Sequence, residues 1–166
     1  ASRANRLRST AGRGGEELDF ISKRDIPWEV IPGLSACTAA PVSAGISLTS
    51  RRESRSFAAA TAKGVGGKLN RVLPRADTLL LFMGVAVLRE AVAELCRQGW
   101  DEETPVMILE RAELPWERRI QGALSTICAA AEREKVCSPA VILVGRAAGN
   151  RHPFQRRPRI LFTGID

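Results

Sequence analysis

From Thr78 to Phe82 the chain reads Thr-Leu-Leu-Leu-Phe, with no charge and no alternation, which is the pattern of a strand buried on both faces. Directly after it, Val85, Leu88, Val92 and Leu95 recur at helical spacing, Arg97 and Gln98 close the last turn, and Gly99 ends it. The same two periods alternate along the rest of the chain. Pro105 to Leu109 predicts a strand, with Arg118 to Gly122 as its antiparallel neighbour across a long loop. Leu124, Ile127, Cys128 and Ala131 give a helix face that fades near Lys135, and Val141 to Val144 is the best-defined strand. Ser56 to Thr61 is a weaker strand, because its alanines bring little β preference, and Lys63-Gly64-Val65-Gly66-Gly67 reads as a loop.

Upstream, Leu18 and Ile21 mark a short helix over Glu16 to Lys23, and Trp28 to Ile31 reads as a brief buried strand closed by Pro32-Gly33. Ser35 is placed to cap a small-residue helix running to about Ala44, where Gly45 supplies the stop. Ala39, Ala40 and Ala44 would let that helix approach a neighbour closely. No internal repeat is visible. The pattern predicts an α/β fold, a mixed sheet of about five strands with helices packed on it.

Composition narrows the function classes. The 166 residues, 45% apolar and 26% charged, suit a globular domain with its own core. No apolar run reaches the roughly 18 residues a bilayer crossing needs, and no signal peptide opens the sequence, so the expectation is a cytoplasmic protein without membrane partners. Cys37, Cys96, Cys128 and Cys137 form no Cys-x-x-Cys pair and sit in apolar or helical contexts, which favours reduced packing cysteines over a metal site. The single histidine, His152, lies in a Pro- and Arg-rich stretch, so nucleophile–histidine hydrolysis lacks a well-placed base. The formal charge is +7, with Arg3, Arg6, Arg8 and Arg13 near one end and Arg146, Arg151, Arg156, Arg157 and Arg159 near the other. No aromatics interleave with these arginines as a nucleic-acid stacking surface requires; solvated tails account for them, and a polyanionic small molecule would also be attracted.

Five segments in order carry a family resemblance. They are Gly12-Arg13-Gly14-Gly15-Glu16-Glu17; Ile31-Pro32-Gly33-Leu34-Ser35-Ala36 with Ala44 to Arg51; Phe82-Met83-Gly84-Val85; Pro105-Val106 through Glu110-Arg111-Ala112 with Arg118 and Gly122; and Ser138-Pro139-Ala140 to Val144-Gly145. Together they resemble the tetrapyrrole methylases, the class III S-adenosylmethionine methyltransferases, and the first segment is most similar to that of uroporphyrinogen-III C-methyltransferases. The resemblance implies a division into residues 1–32, the remainder of an N-terminal domain and linker, residues 33–148, the C-terminal methylase domain, and a basic tail at 149–166. Within that tail, Pro158 to Gly164 resembles the opening of a uroporphyrinogen-III synthase domain, or is a terminal strand of this one. Residues 1–11 do not match the Gly-Gly-Asp-Pro run the family carries before Gly12, and the chain therefore reads as the C-terminal half of such an enzyme.

The resemblance further implies S-adenosylmethionine as cofactor, uroporphyrinogen III as substrate, precorrin-2 as product in siroheme or cobalamin synthesis, and a homodimer. It places Ser35, Ala36, Met83 and Ala112 against the cofactor, and it makes Arg51 and Arg118 candidates for the substrate's carboxylates. No single catalytic side chain and no metal ligand is implied. From the residues alone Ser35 is a helix cap, Met83 a core residue and Ala112 a loop residue. Ala62-Lys63 departs from the Gly-His common in the family, Val87 from a frequent Asn, Glu113 from Thr and Glu117 from Gln, and the last two add negative charge beside a pocket for an anion. The alternative reading is a non-catalytic folded fragment or dimerising module that has lost the cofactor site.

Overall fold

The computed structural model describes residues 5–7, 14–24, 26–70 and 72–149. The tail beyond 149, with His152 and the strand expected at Pro158 to Gly164, lies outside the described residues. The chain divides into two units, Ala1–Thr38 and Ala39–Asp166.

In the first unit β1 (Asn5–Leu7) pairs in parallel with β2 (Trp28–Val30), and α1 (Gly14–Ser22) lies between them in sequence. Glu16 and Glu17 sit in the first turn of α1, where the free amides of a helix start favour negative charge. The strand predicted at Trp28 forms, but it is not buried: Trp28, Glu29 and Val30 are all exposed. A two-stranded ladder satisfies one backbone edge and covers neither face, so apolar side chains alone did not make this strand a core strand. α2 (Ala36–Ser43) starts as expected, with Ser35 Oγ accepting the Cys37 N–H at 3.2 Å. Gly45 adopts φ 72° just past its end, the left-handed conformation that suits glycine at a helix stop.

The second unit holds a five-stranded sheet in the order β3-β4-β7-β5-β6, made of β3 (Phe57–Thr61), β4 (Thr78–Phe82), β5 (Pro105–Glu110), β6 (Arg118–Ala123) and β7 (Ala140–Gly145). Only β3 and β4 are parallel neighbours; the other pairings are antiparallel. β4 and β5 both run opposite to the intervening β7, so β3, β4 and β5 all end at one edge of the sheet. α3 (Leu88–Arg97) and α4 (Ile127–Arg133) cover one face, where Leu79, Leu81, Ile108, Ile142, Leu95 and Ile127 form a continuous apolar cluster. Each such side chain contributes about 1.5–3 kcal/mol by leaving water. α5 (Arg146–Gly149) packs against β5 and β7 with Ala147 and Ala148 buried.

Two boundaries differ from the sequence reading. Val85 lies in a tight turn, Val85–Val87, ahead of α3, and α4 begins at Ile127 after Leu124 has been buried in a turn that Thr126 Oγ1 holds by accepting the Ala123 N–H at 3.0 Å. No helix among the described residues is long and apolar enough to cross a membrane.

Candidate functional site

The apolar run of β4 ends abruptly. Leu79 to Leu81 are buried, Phe82 is half-buried, and Met83 is 53% exposed with φ 53°. A left-handed backbone at a residue with a Cβ costs roughly 1–2 kcal/mol. The next residue explains the geometry: a Cβ on Gly84 would lie 2.7 Å from Ile142 Cδ1, so the chain turns tightly into the core at Gly84 and Met83 is left outside it. The core role that the residues alone assign to Met83 is thus corrected.

β5 ends the same way. After Glu110, Arg111 (φ 52°) and Glu113 (φ 69°) flank the half-buried Ala112. In the ladders Phe82 faces Val141 and Val141 faces Leu109, so the Met83 and Ala112 turns stand on either side of β7, two strand spacings or about 10 Å apart. Neither the Met83 nor the Ala112 amide donates to another group among the described residues. Turns with left-handed residues at one end of the sheet, whose Met83 and Ala112 amides have no partner among the described residues, are suited to meeting a ligand through backbone donors and small or apolar side chains.

Beneath this edge lies a buried ionic layer. The Glu110 side chain is 0% exposed, and its carboxylate accepts Arg118 Nη2 at 2.5 Å and the Cys137 N–H at 3.4 Å, with the Cys137 thiol 3.5 Å away. Burial pushes the Glu110 carboxyl up, but Arg118 and the two Cys137 donors outweigh it and hold the group below the usual carboxylate range. Arg118 also donates to the Glu134 carbonyl at 2.8 Å, tying β6 to the end of α4. Arg118 Nη1 and Nη2 are thus engaged with the helix end and with Glu110, while its side chain remains 41% exposed. Glu117, one of the two acidic departures, is likewise turned in: its side chain is 1% exposed and pairs with Arg119 at 2.8 Å, while its Oε2 accepts the Glu113 N–H at 2.8 Å. Arg119 in turn donates to the Ser43 and Ala44 carbonyls, holding the end of α2. The charge of Glu117 is therefore answered inside the protein.

Arg51 is not brought to this edge. It lies in the exposed turn between Ser50 and Ser54, whose Oγ is 2.8 Å from Thr78 Oγ1 at the opposite end of β4. A five-residue strand spans about 13 Å, which keeps Arg51 away from the Met83 and Ala112 turns. Ser35 and Ala36 belong to the first unit, where the Ser35 carbonyl also accepts the Thr38 hydroxyl at 3.2 Å and Ala36 is exposed. Two grooves of about 410 and 420 Å³ lie elsewhere, between α3 and α4 and beside Asp77 and Trp100, and neither is lined by Met83 or Ala112. Sequence reasoning missed Glu110 and Arg119. A carboxylate closing an apolar strand, eight positions before an arginine opening the next, was the available signal for the first pair.

Comparison with known proteins gives these turns a family. A family model described as tetrapyrrole (corrin/porphyrin) methylases matches residues 9–128. The chain is 37% identical over 139 residues to a uroporphyrinogen-III C-methyltransferase of Methanocaldococcus jannaschii, covering 81% of this chain and 57% of that protein. It is 34% identical over 162 residues to an S-adenosyl-L-methionine-dependent uroporphyrinogen III methyltransferase of Methanosarcina barkeri, covering 93% of this chain and 62% of that protein. Among solved structures, the uroporphyrin-III C-methyl transferase of Thermus thermophilus complexed with S-adenyl homocysteine aligns with TM-score 0.73 at 34% identity, over 83% of this chain and 59% of that one. The chain thus spans less than two thirds of each of these relatives. With the matched model, the mixed five-stranded sheet and the order of its motifs in agreement, the chain belongs to the tetrapyrrole methylases.

Proposed function

We propose that this chain serves in S-adenosylmethionine-dependent methylation of uroporphyrinogen III to precorrin-2, a step of siroheme and cobalamin synthesis, and that it supplies the C-terminal half of the site. The observation that carries the reading is the pair of strained turns bearing Met83 and Ala112 at one sheet edge, in a chain 34% identical to a methyltransferase solved with S-adenyl homocysteine. When bound, S-adenosylmethionine supplies an activated methyl group that an electron-rich pyrrole carbon attacks in line. The protein's task is then placement. Met83 offers a polarizable thioether to apolar parts of the cofactor, and the Ala112 amide offers a donor beside a side chain too small to obstruct an adenosine. Ser35 and Ala36, at the start of α2, are carried as further proposed cofactor contacts on the family resemblance, with Ser35 Oγ accepting the Cys37 N–H and its carbonyl the Thr38 N–H. Positioning of this kind can supply roughly 7–11 kcal/mol of barrier reduction, so no lone catalytic side chain is required.

The +7 charge favours an octacarboxylate substrate. The proposal includes a homodimer, as the family resemblance implies, and exposed Val42, Val72, Leu114 and Trp116 are apolar positions available to a second copy. The cofactor reading is tested by calorimetric titration with S-adenosylhomocysteine, with micromolar binding expected. Absence of heat at any accessible concentration would favour the competing reading of a folded module without a cofactor site. The isolated chain is expected not to turn over, because half of a positioning site forfeits most of the proximity contribution. Precorrin-2 colour formed at an enzymatic rate by this chain alone would refute that.

A further inference from the structure

β3 ends at the same sheet edge as β4, with Thr61 facing Phe82, and the Ala62 N–H extends the pairing by donating to the Phe82 carbonyl at 2.8 Å. The residue that follows, Lys63, therefore emerges beside the Met83 turn. It opens a closed loop. Lys63 bridges Leu69, the Gly64 N–H donates to the Lys68 carbonyl at 2.8 Å, and the Asn70 N–H donates to the Ala62 carbonyl at 2.7 Å. Gly66 and Gly67 take φ 74° and 80°, which lets the loop double back. A Cβ on Gly67 would sit 3.3 Å from Lys63 Cε, so the lysine stem lies close over the Gly67 backbone, where φ 80° favours glycine. Lys63 and Lys68 are both exposed, and among the described residues neither makes an ion pair or a side-chain hydrogen bond. Elsewhere at this edge the cations Arg118 and Arg119 are committed to Glu110 and Glu117. The loop thus holds cations with donors to spare, on a preformed turn next to the proposed cofactor wall.

We propose that the Lys63 to Lys68 loop is a carboxylate clasp that engages acidic side chains of the tetrapyrrole beside Met83. The proposal rests on the methyltransferase reading and adds the residues that hold the substrate. Ammonium groups on flexible stems suit the flexible acetate and propionate arms of a uroporphyrinogen, which present single carboxylates at varied angles. A solvated lysine pair would give the same exposure, but it would not require a glycine beneath the Lys63 stem and a hydrogen-bonded loop closure to place it at the sheet edge that carries Met83.

The probe is uroporphyrin III, the oxidised planar relative with the same eight carboxylates, followed by fluorescence quenching on the whole chain. Lys63→Met and Lys68→Met keep the stems and remove the charges. Each is expected to weaken porphyrin binding about fivefold and the double variant ~25-fold, with a shallower salt dependence and with Lys63→Arg restoring affinity. Arg52→Met, at the other end of the sheet, removes the same net charge and is expected to leave affinity unchanged. S-adenosylhomocysteine affinity is measured in parallel and should not move in any variant. Equal porphyrin affinity in the double lysine variant, an equal loss in Arg52→Met, or no porphyrin binding by the parent chain overturns the clasp. Failure of S-adenosylhomocysteine to bind the parent chain instead overturns the methyltransferase reading beneath it.

Discussion

Replacing Arg118 with Met should destabilise the second unit without touching cofactor binding. The substitution leaves the Glu110 carboxylate, 0% exposed, facing only the Cys137 N–H at 3.4 Å, its thiol at 3.5 Å and Arg111 Nη1 at 3.6 Å. Breaking a fully buried ion pair costs about 3–5 kcal/mol. Arg118 is itself 41% exposed, so solvent screening reduces the expected loss to about 2–3 kcal/mol. For a chain of this size that lowers Tm by about 5–10 °C. Urea unfolding followed by tryptophan fluorescence should show a lower midpoint at constant slope. Adding Glu110→Gln removes the stranded charge and should recover about 1 kcal/mol, a non-additivity that only a direct partner shows.

The pH dependence of that variant has a definite sign. In the parent chain the folded pKa of Glu110 is depressed, so its stabilisation is complete above the unfolded value near 4.3 and disappears as pH falls below it through the folded value. Without Arg118, burial dominates and raises the folded pKa, and the variant should regain stability relative to the parent as pH is lowered from 7 toward 5. A loss below about 0.5 kcal/mol, or a double variant no more stable than Arg118→Met, would refute the buried-pair argument.

Further outcomes follow from the same geometry. Met83→Gly relieves a left-handed backbone, so thermal melts should show equal or slightly higher stability, by up to about 1 kcal/mol, while calorimetry shows weaker S-adenosylhomocysteine binding. Gly84→Ala forces a Cβ to within 2.7 Å of Ile142 Cδ1 and should cost about 1–3 kcal/mol in urea unfolding. Gly145→Ala combines φ 121° with a Cβ only 2.2 Å from the Asp77 carbonyl oxygen, and should abolish soluble expression of the folded chain. Sedimentation at tens of micromolar should show a dimer, and a clean monomer would remove that part of the proposal.

Much of this fold was legible because its strands and helices are written in local pattern. Thr78 to Phe82 forms β4 with the predicted bounds, and Gly45 and Gly99 end their helices with φ 72° and 84°. The insertion of β7 between β4 and β5 was not legible, since pairing between segments some sixty positions apart leaves no periodic trace. Nor was the exposure of Met83. It depends on a close approach of Gly84 to Ile142, a contact made only when β7 takes its place. The left-handed Arg111 and Glu113 carry no glycine or asparagine to betray them, and the inward turn of Glu117 depends on Ser43, distant in sequence, and on an Arg119 that the distant Ser43 and Ala44 carbonyls hold in place.

The position of the cofactor site can be read from two resonances. The chain has two methionines, Met83, 53% exposed at the end of β4, and Met107, 7% exposed within β5. With methyl-labelled methionine, Met83→Ala assigns the pair by deletion. Titration of the parent chain with S-adenosylhomocysteine should then shift the Met83 methyl signal in a saturable way and leave Met107 nearly unmoved. Saturable binding that leaves the Met83 signal in place would put the cofactor elsewhere and contradict the site described above.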